Sequence, residues 1–469
     1  MRGKTSKLPD AFAWLPLLLS FGSPAAGDFC ADLAGLAIDK AVVANARLSD
    51  GICMVDGSAH PVAGSDIRFT VYLPAPARWS GRYYQIGNGG FAGAIHLPTL
   101  DEGARRGDAI AATDTGHRGT GFDARWAADN PVALADYGWR SIKATRDAAQ
   151  AIVGAYYHRP PAHRYFMGCS NGGRMALMAA ARWPEDWDGI LAGAPANPWT
   201  VQLRGFDRVQ RAVRAPGAWL GKPQLELIRR SAIAACPARS VRNGIAQRPN
   251  ACRPDWDRLT CRDTADATCL SPPQRASLQA IINAGYVPAA MDVEDWERWV
   301  VNPDIAAPSQ LGFAEEARQH LFGQYDTATL SSHLDVLPEE LEAFRDHGGK
   351  ILSYFGWADA VISPELGLQW YRSVERATNG PGPATDFYRL FMVPGMLHCQ
   401  GGMGAVSFGQ SIEAPARFAR PAYDVRLALE QWAEKGQAPR ALKSGDGNSH
   451  ISLLPVGATQ QSTGNGPVK

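Results

Sequence analysis

The sequence predicts an α/β fold: a mainly parallel central sheet with helices on both faces and one large inserted segment. Three observations carry this expectation. Short apolar runs of strand character alternate with longer runs of helical spacing. A G-x-S-x-G stretch, Gly168-Cys-Ser-Asn-Gly172, sits between a strand-like run and a helical one. The alternation stops near Pro198 and resumes at Lys350.

A chain of 469 residues can bury a large core and divide into more than one domain. Hydrophobic residues make up 45% and charged residues 20%, as in ordinary globular proteins. A net charge of +1 gives no electrostatic case for nucleic acid or an anionic membrane surface. Arg2, Lys4 and Lys7 precede an apolar run from Ala11 to Leu19, and Ser23-Pro-Ala-Ala-Gly27 follows. Basic start, apolar middle and small-residue end predict a signal peptide over residues 1–26, cut near Ala26. The run is too short to span a bilayer, and no later one reaches about 18 residues. The mature chain is therefore expected to be secreted or periplasmic.

All eight cysteines lie beyond that segment, at 30, 53, 169, 236, 252, 261, 269 and 399. An even number in an exported chain favours disulfides, and their connectivity stays open at this point. Zinc is a poor reading of the 236–269 group, which has neither a C-x-x-C pair nor a histidine.

The elements follow in order. Cys30 to Cys53 reads as a stapled N-terminal segment. Ile67 to Leu73 alternates and predicts a strand; Arg82 to Ile86 predicts another, ending in Gly87-Asn-Gly-Gly-Phe-Ala-Gly93. Ala109 to Thr113 is a short buried strand leading to Asp114-Thr-Gly-His117. Tyr137 to Tyr157 has helical spacing and stops at Pro160-Pro161. Arg164 to Met167 is the strand before the G-x-S-x-G turn. Gly189 to Ala192 is the next strand, closed by Gly193-Ala-Pro-Ala-Asn197.

The interrupted stretch, residues 198–345, holds four cysteines, many Arg and Trp, and helical pieces at 225–235 and 273–284. It is expected to lie over the C-terminal edge of the sheet, where open α/β sheets bind ligands. Strands then return at Lys350–Phe355 and Phe387–Val393, with helices at 366–375 and 423–435. The polar tail from Ser444 is expected to be disordered. This divides the mature chain into a catalytic unit, residues 27–197 and 346–469, and a lid, residues 198–345.

A serine on a sharp strand-to-helix turn stands clear of the sheet, and glycines two before and two after keep side chains out of the crowded turn. Its hydroxyl needs a base, and the base a carboxylate to orient it. In chain order these are Ser170, Asp359 and His398, the last two each following a late strand. The helix N-terminus makes the backbone N–H of Asn171 one oxyanion donor. The glycine loop would supply the other, from Gly90, with Gly89 close behind. His117 precedes the serine, the wrong order for the base, so Asp114 and His117 are expected to be structural hydrogen-bonders. The glycine loop lacks the Lys and Ser/Thr of a phosphate-binding loop. Cys169 precedes the serine and Cys399 follows the histidine; if Ser170 and His398 meet, Cys169–Cys399 can pair.

With these residues in place, Gly168-Cys-Ser-Asn-Gly-Gly-Arg174, Asp359 and His398-Cys399-x-Gly-Gly402 resemble the tannase and feruloyl esterase family. Asp114-Thr-Gly-His117, Tyr137-Gly-Trp-Arg140 and Gly193-Ala-Pro-Ala196 resemble it too. The resemblance spans nearly all of the mature chain. It implies an α/β-hydrolase core with a large lid, a disulfide joining Cys169 to Cys399, and hydrolysis of esters of phenolic or aromatic acids. Mono(2-hydroxyethyl) terephthalate hydrolases resemble the same family.

One departure stands out. Family lids commonly carry a calcium loop, D-x-x-D-G-V-x-D-G-x-I, between two cysteines. Here Cys236-Pro-Ala-Arg-Ser-Val-Arg-Asn-Gly-Ile245 has lost the carboxylates, with Arg239 and Asn243 in the loop and Arg242 opposing a cation. No calcium and no other cofactor is expected, so the lid relies on Cys236–Cys252 and Cys261–Cys269 pairs, beside Cys30–Cys53 at the N-terminus.

The expected activity is therefore a serine carboxylesterase acting through an acyl-enzyme on a small aromatic ester. Its rivals are an esterase for terephthalate monoesters or aliphatic polyester oligomers, a peptidase with the same triad, and a non-catalytic secreted binding protein. Lid tryptophans 199, 219, 256, 296 and 299 could stack on an aryl ring, but none is assigned to substrate. Nothing in the sequence specifies an oligomeric state.

Overall fold

In the computed structural model, residues 26–262, 268–305, 307–378, 386–445 and 450–457 are described. The expected signal peptide falls almost wholly outside them; Ala26 opens helix α1 (Ala26–Ala31).

The strands of the central sheet are β1 (Ala37–Ile38), β2 (Ala41–Ser49), β3 (Ile52–Ala59), β4 (Ile67–Pro74), β5 (Arg82–Ile86), β6 (Ala109–Thr113), β7 (His163–Cys169) and β8 (Gly189–Gly193). After a small hairpin, β9 (Val241–Arg242) and β10 (Ile245–Ala246), the sheet is completed by β11 (Lys350–Gly356) and β12 (Tyr388–Val393). Their spatial order is β1-β2-β3-β4-β6-β5-β7-β8-β11-β12. From β6 to β12 every pairing is parallel, whereas β1 to β4 form an antiparallel meander joined antiparallel to β6. The expectation of a mainly parallel α/β sheet holds. The meander is a correction, because residues 37–59 carry three strands where the sequence suggested only a stapled segment.

The helices are α2 (Leu97–Arg106), α3 (Pro131–Ala135), α4 (Ser141–Tyr157), α5 (Asn171–Arg182), α6 (Trp199–Val213), α7 (Lys222–Ala234), α8 (Pro272–Asn283), α9 (Val293–Trp299), α10 (Gln310–Ala317), α11 (Thr327–Leu334), α12 (Glu342–Asp346), α13 (Pro364–Ala377) and α14 (Val425–Lys435). Residues 136–140 form a π-turn leading into α4, so the helical run read from Tyr137 has a wider first turn.

The period of two along the buried strands builds two cores. Tyr83, Phe166 and Ile190 point to the face covered by α4 and α5; their neighbours Tyr84, Tyr165 and Leu191 point to the face of α2 and α14. A third core belongs to the helices between β8 and β11, where Val209, Leu225, Ile228, Ile281 and Trp296 are buried together. Asn197 and Thr200 clamp the start of that region to its end. Asn197 donates to the Val336 carbonyl at 3.1 Å and accepts its N–H at 2.8 Å, and Thr200 binds Asp335.

The tail corrects the sequence reading over residues 444–445 and 450–457; residues 446–449 and 458–469 lie outside the described residues. β13 (Leu442–Gly445) pairs antiparallel with β14 (His450–Leu453), and Val456 donates to the Leu390 carbonyl. Leu442 and Leu453 are buried, and these two apolar anchors hold a segment whose average polarity suggested disorder.

Candidate active site

β7 delivers Ser170 to the turn before α5. Its backbone stands at φ 62°, ψ −127°, a left-handed conformation that costs a non-glycine residue about 1–3 kcal/mol. The turn is held by Ser170 N–H donating to the Gly193 carbonyl at 2.9 Å and by the Ala196 N–H donating to the Ser170 carbonyl at 3.0 Å. Glycine is required at 168 because a Cβ there would lie 2.6 Å from the Gly172 carbonyl group.

Asp359 follows β11 and its side chain is fully buried. Oδ1 accepts the N–H groups of Val361 at 2.8 Å and Ile362 at 2.9 Å. Oδ2 lies 2.8 Å from Nδ1 of His398. This carboxylate orients the imidazole, an arrangement in which a neutral ring carries its proton on Nδ1 and its lone pair on Nε2. His398 follows β12 and is one-fifth exposed. No hydrogen bond joins Ser170 Oγ to His398 among the described residues; such bonds are often long in apo structures and tighten when substrate binds.

Cys169 and Cys399 form a disulfide with Cα atoms 5.9 Å apart, bringing the elbow and the histidine loop together across 230 residues. Cys30–Cys53, Cys236–Cys252 and Cys261–Cys269 are the other three disulfides, and among the described residues no cysteine is free.

Asn171 opens α5, and Gly90 lies on the loop after β5. Among the described residues no carbonyl accepts from the N–H of either. Gly90 has φ 56°, and a Cβ there would collide with the Gly121 carbonyl. Asp114 accepts the N–H groups of Arg68 and Gly116 and pairs with the Arg68 guanidinium at 2.6 Å, a structural arrangement. His117 Nε2 lies 2.7 Å from the Phe91 carbonyl and steadies the glycine loop. Burial pulls its pKa down to about 4, so it stays neutral.

The helical region contacts the Asp359 loop through groups that spacing did not reveal. Tyr286 donates to the Val361 carbonyl at 2.9 Å, and Gln310 Nε2 lies 2.8 Å from both the Ala360 carbonyl and the Tyr286 hydroxyl. On α9, burial raises the Asp295 carboxyl to about 6, with the charges of Asp359 and Asp292 adding to the shift. These residues lie far from Asp359 in sequence and in no recognisable motif, so no signal in the chain pointed to them.

Two of the lid tryptophans that could face a substrate are core instead: Trp199 and Trp296 are each 1% exposed. The 236–245 loop closes as the β9–β10 hairpin, with Asn243 and Gly244 both left-handed at its tip. Arg229 donates to the Gly244 and Met291 carbonyls at 3.2 and 3.0 Å. A guanidinium on a loop carbonyl, with no carboxylate from 237 to 246, does not fit a calcium site.

The family model of tannase and feruloyl esterase matches residues 53–303 and 312–460. An uncharacterized esterase of Xanthomonas campestris pv. campestris is 32% identical, covering 88% of this chain and 83% of its own. Feruloyl esterase C of Talaromyces stipitatus is 28% identical over 78% of this chain and 73% of its own. Among solved structures, feruloyl esterase B from Aspergillus oryzae superposes with a TM-score of 0.78 at 22% identity, covering 92% of this chain and 96% of that one. A tannin acyl hydrolase from Aspergillus niger gives 0.67 at 19% identity, covering 91% and 92%.

Proposed function

The chain belongs to the tannase and feruloyl esterase family and is a carboxylic ester hydrolase, and from that premise we propose a secreted enzyme that cleaves esters of phenolic acids through an acyl-enzyme on Ser170. The observation that carries the mechanism is the pairing of buried Asp359 with His398 at 2.8 Å, tied by Cys169–Cys399 to the residue beside the serine.

In this reading His398 Nε2 takes the Ser170 proton as Oγ attacks the ester carbonyl. Asp359 stabilises the imidazolium, and the N–H groups of Asn171 and Gly90 receive the oxyanion. Collapse breaks the C–O bond, and the alcohol leaves with the proton returned from His398. Water, deprotonated by the same nitrogen, then releases the acid and restores the serine. Nothing in these steps needs a metal. Four disulfides fit an oxidising compartment, in keeping with export.

The substrate class rests on relatives named feruloyl esterase. Turnover of methyl gallate, methyl ferulate, a terephthalate monoester and a simple aliphatic ester tests it, with and without a calcium chelator. The phenolic esters should give the highest kcat/KM, unchanged by the chelator. A preference for the aliphatic ester would replace the substrate class. Ser170→Ala should abolish turnover while keeping the wild-type Tm; persisting turnover would overturn the serine mechanism.

A further inference from the structure

Arg174 is fully buried, and among the described residues it makes no salt bridge. Burial pulls its pKa below the usual arginine range, so the protein keeps a charge where charge is unfavourable. Its donors join three elements behind the elbow. Nε donates to Asn171 Oδ1 at 2.7 Å, Nη1 to the Gly138 carbonyl at 3.0 Å and the Leu334 carbonyl at 3.4 Å, and Nη2 to the Tyr137 carbonyl at 3.2 Å.

Two of these four residues, Asn171 and Tyr137, reach the glycine loop. Asn171 Nδ2 donates to the Asn88 carbonyl at 3.1 Å. The Tyr137 hydroxyl lies 3.0 Å from the Gly90 carbonyl and 3.0 Å from Asn171 Oδ1. Burial pushes that hydroxyl up to about 12, so it keeps its proton and remains a donor.

The peptide that carries the Gly90 N–H lies between residues 89 and 90. The peptide before it is held at the Asn88 oxygen, and the one after it at the Gly90 oxygen. Residues 87–96 form no helix or strand. Backbone bonds, Ala92 N–H to the Gly89 carbonyl at 2.9 Å and Phe91 N–H to the Gly121 carbonyl at 2.8 Å, and the His117 contact to the Phe91 carbonyl hold part of the loop, and the Asn171 and Tyr137 side chains add a hold on the two peptides that flank the donor. An oxyanion hole works only with donors about 2.7–3.1 Å from the developing charge.

Resting on the serine mechanism above, we propose that Tyr137, Arg174 and the side chain of Asn171 are positioning residues that set the Gly90 N–H against the Asn171 N–H. The network explains why a tyrosine on a π-turn and a buried arginine one turn into α5 sit behind the elbow although, among the described residues, neither side chain bonds to a triad side chain.

Tyr137→Phe and Asn171→Ala test this, since both leave the two backbone donors in place. The readouts are kcat and KM per titrated active site, Tm, and the inhibition constant of an arylboronic acid, whose serine adduct is tetrahedral. Each variant should lose roughly tenfold in kcat, less than the 10²–10³ of deleting a donor, with KM within about twofold. Boronate affinity should fall in step with kcat. A purely structural role would lower Tm and the active fraction and leave both per-site values at wild type; that result in either folded variant overturns the proposal. If Tyr137→Phe does not fold, Asn171→Ala decides alone. Ser170→Ala separates the two ideas: turnover in it sinks the serine mechanism, whereas an inactive Ser170→Ala beside wild-type positioning variants sinks only the network.

Discussion

Ser170 and Cys399 both occupy left-handed backbone conformations, at φ 62° and φ 66°, on either side of one disulfide. Strain of this kind persists only where neighbours over-determine it, and here the Gly193 and Ala196 backbone bonds and the Cys169–Cys399 bridge do so. Asp295 gives a titration signature at this scale. Its folded pKa of about 6 lies above the ordinary value of 3.8. Between those values the folded state holds more protons than the unfolded one, so stability falls as pH rises through that window and stays reduced above it. Asp295→Asn should therefore raise Tm by a few degrees at pH 7.5 and change it little at pH 4. Melting curves at the two pH values check this, and an equal shift at both would contradict it.

Among elements, the strand β7, the elbow, α5 and the loop after β12 behave as one unit because a disulfide spans 230 residues between them. Closing so long a loop removes denatured-state entropy on the order of 5 kcal/mol. Replacing Cys169 and Cys399 together by alanine should lower Tm by on the order of 5 °C and cut kcat more than it raises KM. Wild-type Tm and kcat in that double variant would show that packing alone holds the loops. The elements easiest to read were those whose pattern is local. β5 and β6 follow the sequence reading residue for residue, since continuous buried runs between turn residues have few other options. The meander and the β13–β14 hairpin escaped notice although their hairpin pairing is local, because their apolar patterns are weak. β2 shows exposed residues at most positions, and β13 is anchored mainly by Leu442.

Across the whole molecule, the site was legible where chemistry demands particular residue types in chain order, and silent where it depends on packing. Ser170, Asp359 and His398 stood out by their places after strands. Tyr286 and Gln310, which tie the helical region to the Asp359 loop, carry no such mark, and neither does Asp295. The start of that region is clamped to its end through Asn197–Val336 and Thr200–Asp335, and it has its own core. Substrate choice is therefore expected to depend on a wall built against the triad rather than on the triad itself.

The central claim is that Ser170 is the nucleophile and His398 its base. The most direct measurement treats the protein with a fluorophosphonate and maps the adduct by peptide mass spectrometry while following ester turnover. The account predicts one adduct, on Ser170, with turnover lost in proportion to labelling, and very slow labelling in His398→Ala. Turnover that survives complete labelling of Ser170, or is lost with the label on another residue, would contradict it.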